Sequence, residues 1–219
     1  MSIKNRLKLH PTPIQIPVIS SINNAEFTVL TGEAGSGKDF ISLYYALSSL
    51  YNKDVEKIII SKPLVEVGRS IGFLPGLVSD KYAEYSRSLL EIIDKLIGTQ
   101  EKNKFINDKK ISFEPLQFMR GDTYNNACII LSEAQNATLH QLISFLTRKA
   151  STSKMILNGD LLQSDISNSG LSKMLDILTI DELNHIKLGE EFQMRDPVIT
   201  KINRLYRSYL NSKQKPNDK

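Results

Sequence analysis

The sequence predicts an α/β fold in which a mostly parallel sheet carries helices on both faces. Short continuous apolar runs, such as residues 57–61, 127–131 and 154–158, are typical of strands that are buried on both sides. Apolar residues recur at helical spacing between these runs, most clearly over residues 80–97. The stretch 27–47 joins a strand, a glycine-rich turn and a helix. At 219 residues, the chain has a length that suits one such domain.

The composition is that of an ordinary globular protein. Apolar residues make up 41% of the chain and charged residues 24%, and the net charge of +4 is compatible with nucleic-acid binding without requiring it. The single cysteine, Cys128, lies in an apolar run, which indicates a buried spacer and no disulfide framework. No apolar run has transmembrane length and the first residues lack a signal-peptide core. We therefore expect an intracellular protein with no membrane contact.

A phosphate-binding loop is predicted between the strand at 27–31 and the helix at 40–47. Glycines at 32, 35 and 37 let backbone N–H groups approach a phosphate, and the helix adds the positive end of its dipole. Lys38 is placed to reach the β- and γ-phosphates, whereas Asp39 stands where Ser or Thr ordinarily holds magnesium. The alternative is a glycine-rich turn without a ligand, and the flanking strand and helix favour the phosphate loop.

Gln15 precedes the loop at the distance where many helicase-like ATPases place a glutamine that reads adenine. An amide group can pair with both the N6 donor and the N7 acceptor of adenine. The alternative is a solvated side chain in an irregular, proline-rich entry that leads to a short helix near residues 17–22.

The middle of the chain alternates predicted helices with shaped or polar connections. Residues 62–76 contain two prolines and three glycines, which indicates a long functional loop. The helix at 80–97 is expected to end at Gly98, and the polar segment 99–110 is predicted to be a solvated connector. Further strands are predicted at 111–114 and 185–188.

The remaining helices are predicted in the second half of the chain. One covers residues 139–148, a short one opens near 168–171, and a closing helix follows Pro197 with an apolar and a basic face. The predicted organisation is one domain over residues 1–211, followed by a disordered polar tail at 212–219.

Polar side chains follow two buried strands. Ser132 and Glu133 come directly after strand 127–131, where a second nucleotide motif ordinarily has one acid that supports magnesium and one that positions the attacking water. Because the first position is Ser132, Glu133 remains as the candidate catalytic base. Asp160 and Gln163 follow the next strand, and ligands bind at the carboxyl ends of strands in open α/β sheets. We interpret both as candidate sensors of the γ-phosphate.

Taken together, these blocks resemble the phosphate-starvation-inducible PhoH-like ATPases, in a short single-domain form, over roughly residues 11–206. The resemblance rests on eight blocks in order: residues 32–38, 65–68, 72–76, 119–121, 133–136, 146–148, 159–163 and 169–171. It implies a RecA-like P-loop core related to superfamily 1 helicases, ATP and Mg2+ as cofactors, and a link to RNA or single-stranded DNA. It also implies a homo-oligomer, for which a hexameric ring is one form. The implied location is the cytoplasm of a bacterium or of a phage-infected host. Nuclease activity of longer relatives is not carried over.

The resemblance also assigns site residues. The predicted catalytic residues are Lys38, Glu133, Gln163 and Arg195, the last as an arginine finger that acts across a subunit interface. Arg120 and Arg148 are alternatives for that role, although each is more simply a structural arginine. The predicted nucleotide-binding residues are Gln15, Gly32, Glu33, Ala34, Gly35, Ser36, Gly37, Lys38, Asp39, Phe40 and Asp160, and the predicted metal-binding residues are Asp39 and Ser132.

Three positions depart from the family pattern, which expects Ser or Thr at 39, Asp at 132 and a basic residue at 122. The chain has Asp39, Ser132 and Asp122. The carboxylate and the hydroxyl of the magnesium pair are thus exchanged, and our hypothesis is a swapped site that keeps one of each. The competing interpretation is loss of function, since two like charges at about 4 Å repel by about 4 kcal/mol at an effective dielectric constant of about 20.

Two functions follow from these alternatives. The first is a magnesium-dependent, helicase-like ATPase that acts with RNA or single-stranded nucleic acid, with altered Walker A and Walker B positions. The second is a degenerate nucleotide-binding protein that serves as an assembly or regulatory module with little or no hydrolysis.

Overall fold

The computed structural model of the protein describes residues 6–64, 86–119, 121, 123–194, 196, 198, 201–202 and 204–205. Among these residues, six strands form one parallel sheet, which confirms the predicted fold class. The strands are β1 (Phe27–Gly32), β2 (Lys57–Lys62), β3 (Ile111–Pro115), β4 (Ala127–Leu131), β5 (Lys154–Gly159) and β6 (Leu183–Leu188). Their spatial order is β3-β2-β4-β5-β1-β6, so β1 lies inside the sheet.

Six α-helices with both ends in the described part of the chain pack on the two faces of the sheet. They are α1 (Gln15–Asn24), α2 (Lys38–Asn52), α3 (Arg87–Ile97), α4 (Thr99–Asn107), α5 (Leu139–Leu146) and α6 (Leu171–Ile177). Helices α1 to α4 share one hydrophobic core with alternate strand residues such as Leu30 and Ile156. Helices α5 and α6 share the other core with the intervening strand residues, such as Val29 and Leu157. Because successive strand residues point to opposite faces, continuous apolar strands supply both cores.

The polar segment after Gly98 is a helix, so the prediction of a solvated connector at 99–110 is wrong. Gly98 adopts φ 85° and ψ 158°, a conformation that glycine tolerates, and there it ends α3 as predicted and begins α4. Helix α4 buries Phe105 alone among its residues, and most of its other side chains are polar. One buried residue in about two turns leaves too little apolar periodicity to reveal a helix from sequence.

Several helix ends differ by a few residues from the prediction. Helix α1 begins at Gln15 and ends at Asn24, and α5 ends at Leu146. The start of α5 is fixed by a reciprocal capping box. The Thr138 hydroxyl accepts from the backbone amide of Gln141, and the side-chain oxygen of Gln141 accepts from the backbone amide of Thr138.

Cys128 is fully buried in β4, as predicted for a spacer, and burial raises the pKa of its thiol to about 12. Among the described residues, no helix combines the length and the apolarity that crossing a bilayer requires. The predicted loop beyond Leu64, together with Arg120, Asp122, Arg195 and the tail at 212–219, lies outside the described residues.

Candidate functional site

The phosphate loop connects the end of β1 to the start of α2. Gly35 and Gly37 adopt φ values of 95° and 80°, in the left-handed region that favours glycine, so the predicted loop has the backbone that its sequence requires. Ser36 is buried, and its hydroxyl donates to the carbonyl of Glu33 at 2.8 Å. A Cβ on Gly32 would lie 2.7 Å from the carbonyl oxygen of Leu188, so only glycine fits between β1 and β6 at this point.

Lys38 lies against the loop that it follows. Its Nζ donates to the carbonyl of Gly32 at 2.7 Å and to that of Glu33 at 2.9 Å. These contacts hold a positive charge beside the same backbone whose amides, with the N-terminus of α2, form an anion-binding turn.

Asp39 and Ser132 lie side by side, as the swapped-pair hypothesis expects. The Ser132 hydroxyl donates to Oδ1 of Asp39 at 2.9 Å. Asn158 donates from Nδ2 to the same oxygen at 2.8 Å, and Ser42 in turn donates to Oδ1 of Asn158 at 2.9 Å. The first turn of α2 is therefore joined to the ends of β4 and β5 through one polar network.

A second polar network holds the acids that follow β4 and β5. Glu133 adopts φ 57°, in the left-handed region, and its Oε2 accepts from Nε2 of Gln135 at 2.7 Å. Oε1 of Gln135 accepts from the backbone amide of Asp160 at 3.0 Å. Gln135 thus fixes the spacing between the candidate base and the strand-end aspartate. A non-glycine residue in the left-handed region is uncommon and is often associated with function.

The two networks line one cavity of about 580 Å³ at the carboxyl edge of the sheet. Predicted site residues that line it are Ala34, Gly35, Gly37, Lys38, Asp39, Phe40, Ser132, Glu133, Asp160 and Gln163. The structure thus brings together most of the residues that the sequence predicted, in the crevice where open parallel sheets bind ligands.

Other predicted residues lie elsewhere. Gly32 and Glu33 line a neighbouring cavity of about 360 Å³, and Ser36 is buried inside the loop. Gln15 is only 2% exposed, so the alternative of a solvated side chain is wrong; its Oε1 accepts from the amide of Thr12 at 3.0 Å.

Arg148 bonds to the end of its own helix and is absent from the residues that line the large cavity. Its Nε donates to the carbonyl of Ser144 at 3.1 Å, and Nη2 donates to the Thr147 hydroxyl at 3.1 Å. These contacts favour the structural interpretation of this arginine. Arg195, the preferred arginine finger, lies outside the described residues.

The sequence analysis missed several residues that complete the site. Asn158 and Gln135 belong to the polar networks, and Ser88, Ile92 and Lys95 of α3 form one wall of the cavity. A polar residue at the end of the apolar run Met155–Leu157 was a usable signal for Asn158. No comparable signal marks α3, whose contribution depends on how it packs.

The segment after β6 contacts the phosphate loop. Nε2 of Gln193 donates to the carbonyl of Ala34 at 3.2 Å, and the amide of Met194 donates to the carbonyl of Gly35 at 3.1 Å. The segment that leads toward the C-terminus is therefore bonded directly to the phosphate loop.

The oxygen donors in the cavity suit magnesium. Within the described residues, Oδ2 of Asp160 is buried without a hydrogen-bond partner, which is costly unless a ligand or a water satisfies it. The same part of the chain contains no group of three or more His, Cys, Asp or Glu side chains arranged to hold a metal. Mg2+ is ordinarily bound by one or two carboxylates together with substrate phosphates and waters, and Asp39 and Asp160 supply carboxylates to this cavity.

Comparison with known families matches residues 9–207 to the family described as PhoH-like protein. Protein PhoH of Escherichia coli K12 is 35% identical over 81% of this chain and 52% of its own length. A PhoH-like protein of Bacillus subtilis is 37% identical over 80% of this chain and 56% of its own length. The chain thus spans about half the length of the curated relatives that it matches.

One structural comparison supports the fold independently. The large terminase of a thermophilic bacteriophage matches 89% of this chain and 50% of its own chain, with a TM-score of 0.57 and 11% identity. At that level of identity the similarity shows the fold alone.

Proposed function

This chain belongs to the PhoH-like family, and from its P-loop fold and the geometry of its cavity we propose that it binds ATP with magnesium and hydrolyses it. The observation that carries the proposal is the hydrogen bond between Ser132 and Asp39, which directly follows the phosphate loop. P-loop enzymes place a hydroxyl and a carboxylate side by side around magnesium at this point. In this chain both groups are present, with their positions exchanged.

The roles of the surrounding residues follow from their places. The amides of the loop and the ammonium group of Lys38 bind the phosphates, and a magnesium ion at this site would supply positive charge that offsets the charge of the phosphates. Asp39 and Ser132 supply its oxygen ligands. Glu133, held by Gln135, orients the attacking water and accepts its proton.

Three further roles complete the proposal. Asp160 and Gln163, which line the cavity, sense the γ-phosphate. Gln15 reads adenine, for which its amide must exchange the intrachain bond to Thr12 for bonds to the base. Arg195 is proposed as an arginine finger that a neighbouring copy supplies.

The nucleic-acid partner and the assembly are proposed from the charge of the chain and from its family. The net charge of +4 and the family relationship favour RNA or single-stranded DNA as a partner. Arg195 would act in trans only in a homo-oligomer, such as a hexameric ring.

A second function is a nucleotide-binding module without turnover, in the cytoplasm like the first. The observation that favours it is Asp39 itself, whose carboxylate follows Lys38 directly in the first turn of α2. Without a metal between them, this carboxylate and the phosphates repel each other, and binding weakens.

A titration with a fluorescent ATP analogue, with Mg2+ and with EDTA, tests both functions. We expect magnesium-dependent binding that Lys38→Ala weakens, whereas Lys173→Ala, on the exposed side of α6, serves as the matched control. Phosphate release, measured with and without poly-RNA or single-stranded DNA, then separates the two functions. Absence of nucleotide binding would refute the proposal, and binding without phosphate release would select the second function.

A further inference from the structure

Asn158 is a polar residue that directly follows three apolar residues of β5. The preceding residues of β5, Met155, Ile156 and Leu157, are fully buried, and Asn158 is itself only 1% exposed. Burial of a side-chain amide is costly unless its donor and its acceptor are both hydrogen-bonded. Both are bonded here, and both partners belong to the first turns of α2: Asp39 and Ser42.

The direction of these hydrogen bonds is fixed by chemistry. An ionised carboxylate only accepts, so the NH2 group of Asn158 must face Asp39. The carbonyl oxygen of Asn158 then faces Ser42, whose hydroxyl must donate. Ser42 therefore orients Asn158, and Asn158 orients Asp39.

The two donors to Asp39 act on one oxygen. Asn158, in β5, and Ser132, after β4, both donate to Oδ1, at 2.8 and 2.9 Å. Two donors from separate strand ends fix the plane of the carboxylate and leave Oδ2 outside this pair of bonds. Magnesium demands near-ideal octahedral geometry, so a carboxylate held in one orientation is a better ligand than a freely rotating one.

We propose that Asn158 is a positioning residue of the magnesium site, which orients the Asp39 carboxylate toward the metal of a bound magnesium–nucleotide complex. The inference rests on the proposed function. It adds that the exchanged pair of Asp39 and Ser132 works as part of a four-residue unit with Asn158 and Ser42.

The test compares nucleotide affinity with and without magnesium. The variants are Asn158→Ala, Ser42→Ala and the control Asn184→Ala, which removes another strand asparagine whose amide donates at 2.8 Å, to Ser21 and away from the cavity. The affinity of each variant for a non-hydrolysable ATP analogue is measured with Mg2+ and with EDTA. Binding of Mn2+ to the protein with the analogue bound is followed by electron paramagnetic resonance.

We expect Asn158→Ala to lose about 10- to 100-fold in metal affinity, as is typical when an outer-shell partner is removed. Affinity for the analogue in EDTA should stay within about twofold of the wild type. Ser42→Ala keeps the Asn158 amide that donates to Asp39 and removes only the hydroxyl that orients this amide. We therefore expect a smaller loss of metal affinity than in Asn158→Ala. A purely structural role would instead weaken binding equally with Mg2+ and with EDTA.

Besides equal weakening with Mg2+ and with EDTA, two further results would overturn the inference. If the wild type shows magnesium-dependent binding and both Asn158→Ala and Ser42→Ala retain it in full, Asn158 does not position the metal ligand, while the proposed function stands. If the wild type shows no magnesium dependence, the proposed function fails and the inference fails with it. Should Asn158→Ala not fold, Ser42→Ala decides alone, because it removes a single hydroxyl.

Discussion

Exchanging Asp39 and Ser132 by mutation tests the swapped pair directly. In Ser132→Asp, a carboxylate replaces a hydroxyl that lies 2.9 Å from Oδ1 of Asp39. Two negative charges about 4 Å apart repel by about 4 kcal/mol at an effective dielectric constant of about 20, and a hydrogen bond to a charged group is lost as well. In Asp39→Thr, the buried amide of Asn158 loses its acceptor, which costs about 1–3 kcal/mol.

The double variant restores one hydroxyl and one carboxylate, so the repulsion disappears. We expect its free energy of unfolding to exceed the value predicted from the two single variants by about 2–3 kcal/mol. Urea denaturation of the four proteins at low ionic strength measures this coupling. A second cycle, with Asp39→Thr and Asn184→Ala, pairs residues without a shared partner and should be additive.

Additivity of Asp39→Thr and Ser132→Asp within about 0.5 kcal/mol would show that the two side chains do not share a site. The functional readout is independent of stability. Magnesium-dependent nucleotide affinity and phosphate release should fall in both single variants and recover in the double variant. If the double variant is no better than the worse single variant, the exchanged pair does not hold magnesium.

Two further predictions concern stability. In Gly170→Ala, the new Cβ would lie 2.0 Å from the backbone nitrogen of Leu139, so α5 and α6 must separate. We expect urea denaturation to show that the free energy of unfolding falls by more than about 3 kcal/mol. The control Asn168→Ala changes an exposed residue and should alter it by less than about 0.5 kcal/mol. His185 contacts the Thr31 hydroxyl at 2.8 Å, and burial lowers its pKa. As pH falls below about 6.5, the unfolded chain therefore binds more protons than the folded chain, and the folded state loses stability. Between pH 7.5 and 5.5, the wild type should lose more free energy of unfolding than His185→Gln. Equal losses would contradict this assignment.

The sequence predicted the parts of the site that short motifs encode. The spacing of Gly35, Gly37 and Lys38 permits few backbones other than a phosphate loop, and the strand before it and the helix after it could be recognised locally. Continuous apolar runs likewise predicted the buried parallel strands, because burial on both faces removes any polar alternation.

The parts that escaped prediction depend on contacts distant in sequence. Asn158 acquires its role from Asp39, which is 119 positions away, so neither residue alone reveals the network. The orientation of Gln15 depends on the packing of its side-chain amide against Gly37. The helical state of residues 99–107 depends on one buried aromatic ring, that of Phe105. Local patterns cannot report such tertiary effects.

The bonds that Gln193 and Met194 make to the phosphate loop also orient the peptide units of the loop. In a trans peptide, the N–H group points away from the carbonyl of the same unit. Because the carbonyl of Ala34 faces Gln193, the amide of Gly35 in the same peptide unit points away from Gln193. The orientation of one loop amide is thus set by a glutamine 159 positions further along the chain.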